Sequence, residues 1–137
     1  MNAPRDPLAA VLLHKAAEDF ALAELAMSRG ALADMACYHA QQVIEKVAKA
    51  VLVIRGIAYR RNHDLAALAS LLPDDLRQLR EAVAAADWLT LFATGVRYGE
   101  GAIHATPVRA RQAIEAAGEV VAALQVCLGV GLPVLAD

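Results

Sequence analysis

Tyr38-His39-Ala40-Gln41-Gln42-Val43-Ile44-Glu45-Lys46-Val47-Ala48-Lys49-Ala50-Val51-Leu52 decides the fold. Val43, Val47, Val51 and, just beyond, Ile54 recur at the helical period, and Ile44, Ala48 and Leu52 widen that stripe. Gln42, Glu45, Lys46 and Lys49 form a second, narrow polar stripe at i, i+3, i+4, i+7, in which Glu45 and Lys49 have the favourable i, i+4 orientation. A helix that is apolar over so much of its circumference belongs at the centre of a fold. The pattern predicts it from about Leu32 to Arg55, with Gly56 as its stop.

The chain stays helical on both sides. Upstream, Asp6 is a good N-cap and Pro7 suits the first helical position. Leu8, Val11, Leu12, Ala16, Phe20 and Ala23 then recur at helical spacing until Ser28-Arg29-Gly30, where Gly30 is expected to take the left-handed position after the helix. Downstream, Asn62 or Asp64 caps a short helix reaching about Leu72. Pro73 punctuates, and Asp74-Asp75 open a further helix to about Phe92. A turn-rich stretch follows from Thr94 to Thr106. Thr106-Pro107 then repeats the cap-plus-proline start, and the last helix runs from Val108 to about Leu128, closing at Gly129. Four main helices, one short helix and brief connections imply an all-α fold, an antiparallel up-down four-helix bundle with one additional short helix. A single domain is expected over residues 1–137, with its core over about 8–128 and an apolar tail over 129–137.

Composition agrees. Of 137 residues, 58% are hydrophobic and only 4% aromatic, so the apolar excess is mostly alanine, the best helix former. This excludes a disordered chain and disfavours a sandwich or barrel. The net charge of −2 supplies no global field for nucleic acid, so any phosphate site has to be local. Cys37 and Cys127 sit in apolar stretches; one disulfide between them is the alternative, and two buried thiols is the better reading. No basic segment precedes an apolar run at the start, so no signal peptide is expected and the localisation reads as cytoplasmic. The uncharged run from Val120 to Ala136 is broken by Gly129, Gly131 and Pro133, which argues against a membrane span. The apolar surplus favours burial against a second copy, a homodimer.

The segment Arg97-Tyr98-Gly99-Glu100-Gly101-Ala102-Ile103-His104 is the candidate for chemistry. It places an arginine and a histidine just ahead of a helix N-terminus, where free N–H groups and the dipole favour an anion. Arginine matches phosphate with a planar fork, and histidine is the usual acid or base near neutral pH. His104 could take a proton from a 2′-hydroxyl while Arg97 stabilises the charged phosphorane. The plain alternative pairs Arg97 with Asp87 or Glu100 and leaves His104 as an exposed loop residue. Tyr59-Arg60-Arg61-Asn62-His63-Asp64 is the most basic patch, and it reads either as a phosphate contact or as a helix start with solvated arginines. His39, near Gln42 and Glu45, reads as part of an internal polar network. No set of His, Cys and carboxylates has ligand spacing, so neither metal nor cofactor is expected.

The stretch 38–52 resembles the signature helix of the HEPN domain, in which an aromatic residue is followed by a Gln-Gln pair, Glu-Lys, and Lys-Ala-x-Leu. Ala16-x-x-Asp19, His63-Asp64-Leu65-x-x-Leu68 and Arg97-Tyr98 agree with the family in order and spacing. The resemblance covers about residues 8–128. It implies an antiparallel bundle that dimerises and binds RNA or nucleotide. It further implies a toxin-type component of a toxin–antitoxin or defence pair with a minimal nucleotidyltransferase, and, in many members, a metal-independent endoribonuclease with Arg and His near the last helix. Arg97 and His104 match that pair, although Gly99 stands where proline is common. Gln42, Glu45, Lys46, Lys49, His63, Arg97 and Tyr98 are the implied nucleotide- or phosphate-binding residues. The alternative implied by the family is a non-catalytic binding or dimerisation subunit for a nucleotidyltransferase.

Overall fold

A computed structural model describes residues 4–94 and 104–136, and among them the fold is all-helical, with no strand. Six α-helices occur in order: α1 (Pro7–Met27), α2 (Ala33–Ile54), α3 (Leu65–Leu71), α4 (Arg77–Ala85), α5 (Thr90–Thr94) and α6 (Pro107–Leu128). The long helices α1 and α2, joined by a short link, form an antiparallel hairpin. On its other sides α2 meets α6, α3 and α5, while α4 packs on α3 and α6. The central position expected of α2 follows from its side chains: Val43, Ile44, Val47, Ala48, Val51 and Leu52 are all fully buried.

The local start and stop signals act as their chemistry requires. Asp6 accepts the N–H groups of Leu8 and Ala9 at the start of α1, Asp64 accepts that of Ala67 in α3, and Thr106 accepts that of Arg109 in α6. Gly56, at φ 68°, ends α2: the Gly56 N–H reaches the Val53 carbonyl and the Ile57 N–H reaches back to Leu52, a paired closure that only a left-handed residue permits. Gly129 closes α6 at φ 65°. The tail after it forms no helix, with Val130 buried, Leu132 against the core and Val134 exposed. No helix among the described residues is long and apolar enough to cross a membrane.

Three expectations change. Gly30 is not left-handed. α1 ends in right-handed geometry at Ser28, whose hydroxyl donates to the Leu25 carbonyl, and Gly30 opens a 3₁₀ turn over Gly30–Leu32. The face of α1 that goes inward is also offset from the large residues. Ala9, Leu13, Ala16, Ala17, Ala23 and Ala26 are buried, while Leu8, Val11, Leu22 and Leu25 stay exposed. α1 is apolar nearly all round, so hydrophobic period alone does not choose its face. Alanines let it lie close against α2, and the same rotation carries Asp19 inward.

The helix expected from Asp74 to Phe92 is broken, the third change. A 3₁₀ turn over Asp74–Leu76 precedes α4, and a second over Asp87–Leu89 separates α4 from α5. The second break has a physical use. Asp87 Oδ1 accepts the Ala66 N–H at 3.0 Å and the Thr90 hydroxyl at 3.1 Å, and Thr90 Oγ1 accepts the Leu65 N–H at 3.1 Å. Two first-turn donors of α3 are thus satisfied by side chains from a different segment, which an unbroken helix would point elsewhere. Asp87→Ala should therefore cost about 1 kcal/mol, the usual worth of a helix cap, read as a lower urea midpoint with unchanged slope.

Candidate functional site

Two of the polar centres built on α2 involve candidate site residues directly. At the first, Glu45 is almost fully buried yet matched on both oxygens. Oε1 accepts from Gln41 Nε2 at 3.1 Å and from His63 Nδ1 at 2.8 Å, and Oε2 accepts from Lys49 Nζ at 3.0 Å. Gln41 also donates to the His63 carbonyl at 3.1 Å, and its own carbonyl accepts from Gln42 Nε2 at 2.6 Å. The Lys49 ammonium also lies 5.8 Å from the Tyr59 ring centroid. The polar stripe thus ties α2 to the 58–64 strap. Beside it, Tyr59, Arg60, Asn62 and Ser70 line an open groove of about 520 Å³.

Of the residues expected to form a phosphate-binding group, Gln42, Glu45, Lys49 and His63 do come together. Lys46 turns instead to α1, where it donates to Asp19. His39 also meets Asp19, Nδ1 to Oδ1 at 2.9 Å, with its ring edge-on to Tyr38, rather than joining Gln42 and Glu45. Asp19 is buried with its face of α1, and each of its oxygens has a partner, Oδ1 the His39 ring and Oδ2 the Lys46 ammonium. Among the described residues no buried side-chain N or O lacks a partner.

The second place is the N-terminal end of α2. Asp34, in the first turn, accepts from His104 Nδ1 through Oδ2 at 2.9 Å and from the Ala105 backbone N–H through Oδ1. The His104 side chain is 78% exposed, so its other edge is open to solvent two residues ahead of the Thr106 cap. In the first turn of α6, the Arg109 guanidinium stacks over Trp88, 4.6 Å from its ring centroid. Cys37, one turn along α2 from Asp34, is fully buried, and that burial pushes its thiol up to about 11. The Asp34 charge contributes to that rise and the Arg109 charge opposes it. Cys127 is half-buried rather than buried, and both thiols are free.

Eleven residues separate Asp34 from Glu45, three helical turns, so the two centres lie on one face of α2 about 16 Å apart. They do not form one pocket. Arg97 and Tyr98 lie outside the described residues. Neither Asp34 nor Asp19 is picked out by sequence reasoning as a site residue. Ala16-x-x-Asp19 marks the second only as part of a pattern, and nothing near Asp34 points 70 residues ahead to His104. No group of three His, Cys, Asp or Glu side chains among the described residues could hold a metal ion.

The family model described as "HEPN domain" matches residues 9–127. No curated protein and no solved structure gives a match.

Two outcomes follow from this geometry. Glu45→Ala strips Gln41 and Lys49 of their shared buried acceptor and should cost about 3 kcal/mol, whereas His63→Ala, from a half-exposed position, should cost under about 1 kcal/mol. Urea titrations of the pair measure the contrast. Cys37, with its folded pKa above its ordinary 9.0, stabilises the fold fully below that value and loses the contribution as pH rises toward about 11. The stability difference between the wild type and Cys37→Ala should therefore shift against the wild type over that alkaline window, and native Cys37 should react with thiol reagents more slowly than Cys127.

Proposed function

The chain belongs to the HEPN domain family, and from that membership we propose that it is a metal-independent endoribonuclease of the toxin type, acting through His104 and Arg97 and paired with a minimal nucleotidyltransferase. The family supports a nucleotide- or RNA-related role in general, and HEPN domains commonly dimerise. The observation that carries the finer reading is the setting of His104: a solvent-facing imidazole, held from behind, at the mouth of a capped helix whose dipole favours phosphate.

The proposed reaction is a transfer within the RNA. His104 Nε2 takes the 2′-hydroxyl proton, the 2′ oxygen attacks the adjacent phosphorus, and the bond to the 5′ oxygen breaks as that oxygen takes a proton from water; the hydroxide so formed then removes the proton from the His104 imidazolium and restores the base. Arg97 offsets the charge gathering on the phosphorane. The ends are a 2′,3′-cyclic phosphate and a 5′-hydroxyl. Gln42, Glu45, Lys46 and Lys49 serve this site at a distance, by fixing α2. Two copies would bring two such loops together, and the exposed Leu22, Leu25, Leu32 and Met35 offer apolar surface for association.

A second reading is favoured by the groove at Tyr59 and Arg60, beside half-exposed His63: a non-catalytic nucleotide-binding subunit of the nucleotidyltransferase pair. One experiment separates the two. Single-stranded RNA incubated in EDTA should be cut to cyclic-phosphate ends, with the rate at least about 100-fold lower in His104→Ala. Undiminished cutting by that variant overturns the first reading. A nucleotide-dependent thermal shift without any cutting supports the second.

A further inference from the structure

We propose that Asp34 is the positioning residue for His104, holding the imidazole in the tautomer that carries its proton on Nδ1 and presents a bare Nε2 to substrate. The proposal rests on reading His104 as the proton acceptor.

Asp34 grips two consecutive residues with its two oxygens. Oδ2 faces His104 Nδ1 at 2.9 Å, and Oδ1 takes the Ala105 N–H. The second contact fixes the backbone that carries the ring, and the first fixes the ring itself. An ionised carboxylate has only lone pairs to offer, so the nitrogen turned toward it must hold a proton. In a neutral imidazole the other nitrogen then has none, and it is free to accept one. That nitrogen belongs to the exposed part of the side chain, since Asp34 is only 31% exposed while His104 is 78% exposed.

The support is rigid on the protein side. Asp34 sits in the first turn of α2, the helix packed against α1, α3, α5 and α6. A negative charge there is also favoured by the helix dipole. When Nε2 accepts the 2′-hydroxyl proton, the ring becomes an imidazolium whose Nδ1–H still points at the carboxylate. Asp34 stays ionised throughout and exchanges no proton; it offsets the new positive charge and keeps the ring from turning.

Asp34→Asn separates the two grips. The side-chain carbonyl can still accept the Ala105 N–H, so the fold keeps that anchor. The amide NH₂ can only donate, so it pairs with an unprotonated Nδ1 and moves the ring proton to Nε2. Ring nitrogen shifts of ¹⁵N-histidine-labelled protein, with the His104 signals assigned by His104→Ala, should show Nδ1–H in the wild type and Nε2–H in Asp34→Asn. A wild-type ring protonated mainly on Nε2, or a tautomer that Asp34→Asn leaves unchanged, overturns the proposal without any reference to activity. In RNA cleavage, Asp34→Asn should lower kcat by about 100-fold or more with KM little changed; wild-type kcat in that variant also overturns it. A chain that shows the tautomer switch but cuts no RNA refutes the ribonuclease reading and with it the catalytic use of Asp34, while the hold on the ring stands.

Discussion

A carboxylate taken out of water must be matched from every side, and Glu45 is matched from three. Removing such a charge from solvent costs several kcal/mol unless both oxygens find donors. Gln41 and Lys49 supply them from the same helix, and His63 supplies one from the strap that follows. Only one rotation of α2 and one path of residues 58–64 satisfies all three. The polar stripe on an otherwise apolar helix therefore sets the register of the bundle in a way that interchangeable alanine and valine contacts could not. The Asp19 centre repeats the device on the opposite pairing, locking α1 to α2 through His39 and Lys46.

With α2 fixed, the rest of the molecule is hung from it. The strap held by Glu45 delivers Asp64 to cap α3, and α3 is capped a second time by Asp87 and Thr90 from the break between α4 and α5. At the other end of the same helix, Asp34 receives the chain that re-enters α6. One rigid element thus carries both a structural anchor and the anchor of the residue with the clearest chemical potential. The roughly 16 Å between them explains why residues that look like one site in the sequence serve two.

What could be read in advance was whatever depends on neighbours in the chain. Caps at Asp6, Asp64 and Thr106 and stops at Gly56 and Gly129 are local agreements between a side chain or a φ angle and the adjacent backbone, and all five hold. The meeting of Gln42, Glu45 and Lys49 was legible for the same reason, because helical spacing alone brings them together. The rest depended on partners far along the chain. The inward face of α1 is chosen by Asp19 reaching His39 and Lys46, the break before α5 by donors on α3, and the setting of His104 by a carboxylate on α2. None of these leaves a periodic trace, and Gly30 failed as a cap because Ser28 closed the helix first.

The alanine lining of the long helices has one more consequence. Ala16 and Ala23 of α1, Ala36 and Ala40 of α2, and Ala113 and Ala117 of α6 are buried to the last per cent. A leucine-filled interior is damaged mainly by truncation, since each lost methyl leaves a hole. Here there is little to truncate at these positions, and the penalty attaches to growth: one added methylene has to push apart helices that already touch through their smallest side chains. The tolerance of this interior to sequence drift is therefore one-sided. It accepts glycine-sized losses at modest cost and refuses valine or leucine, so that descendants of this sequence would be expected to keep their alanines as firmly as other proteins keep their large residues.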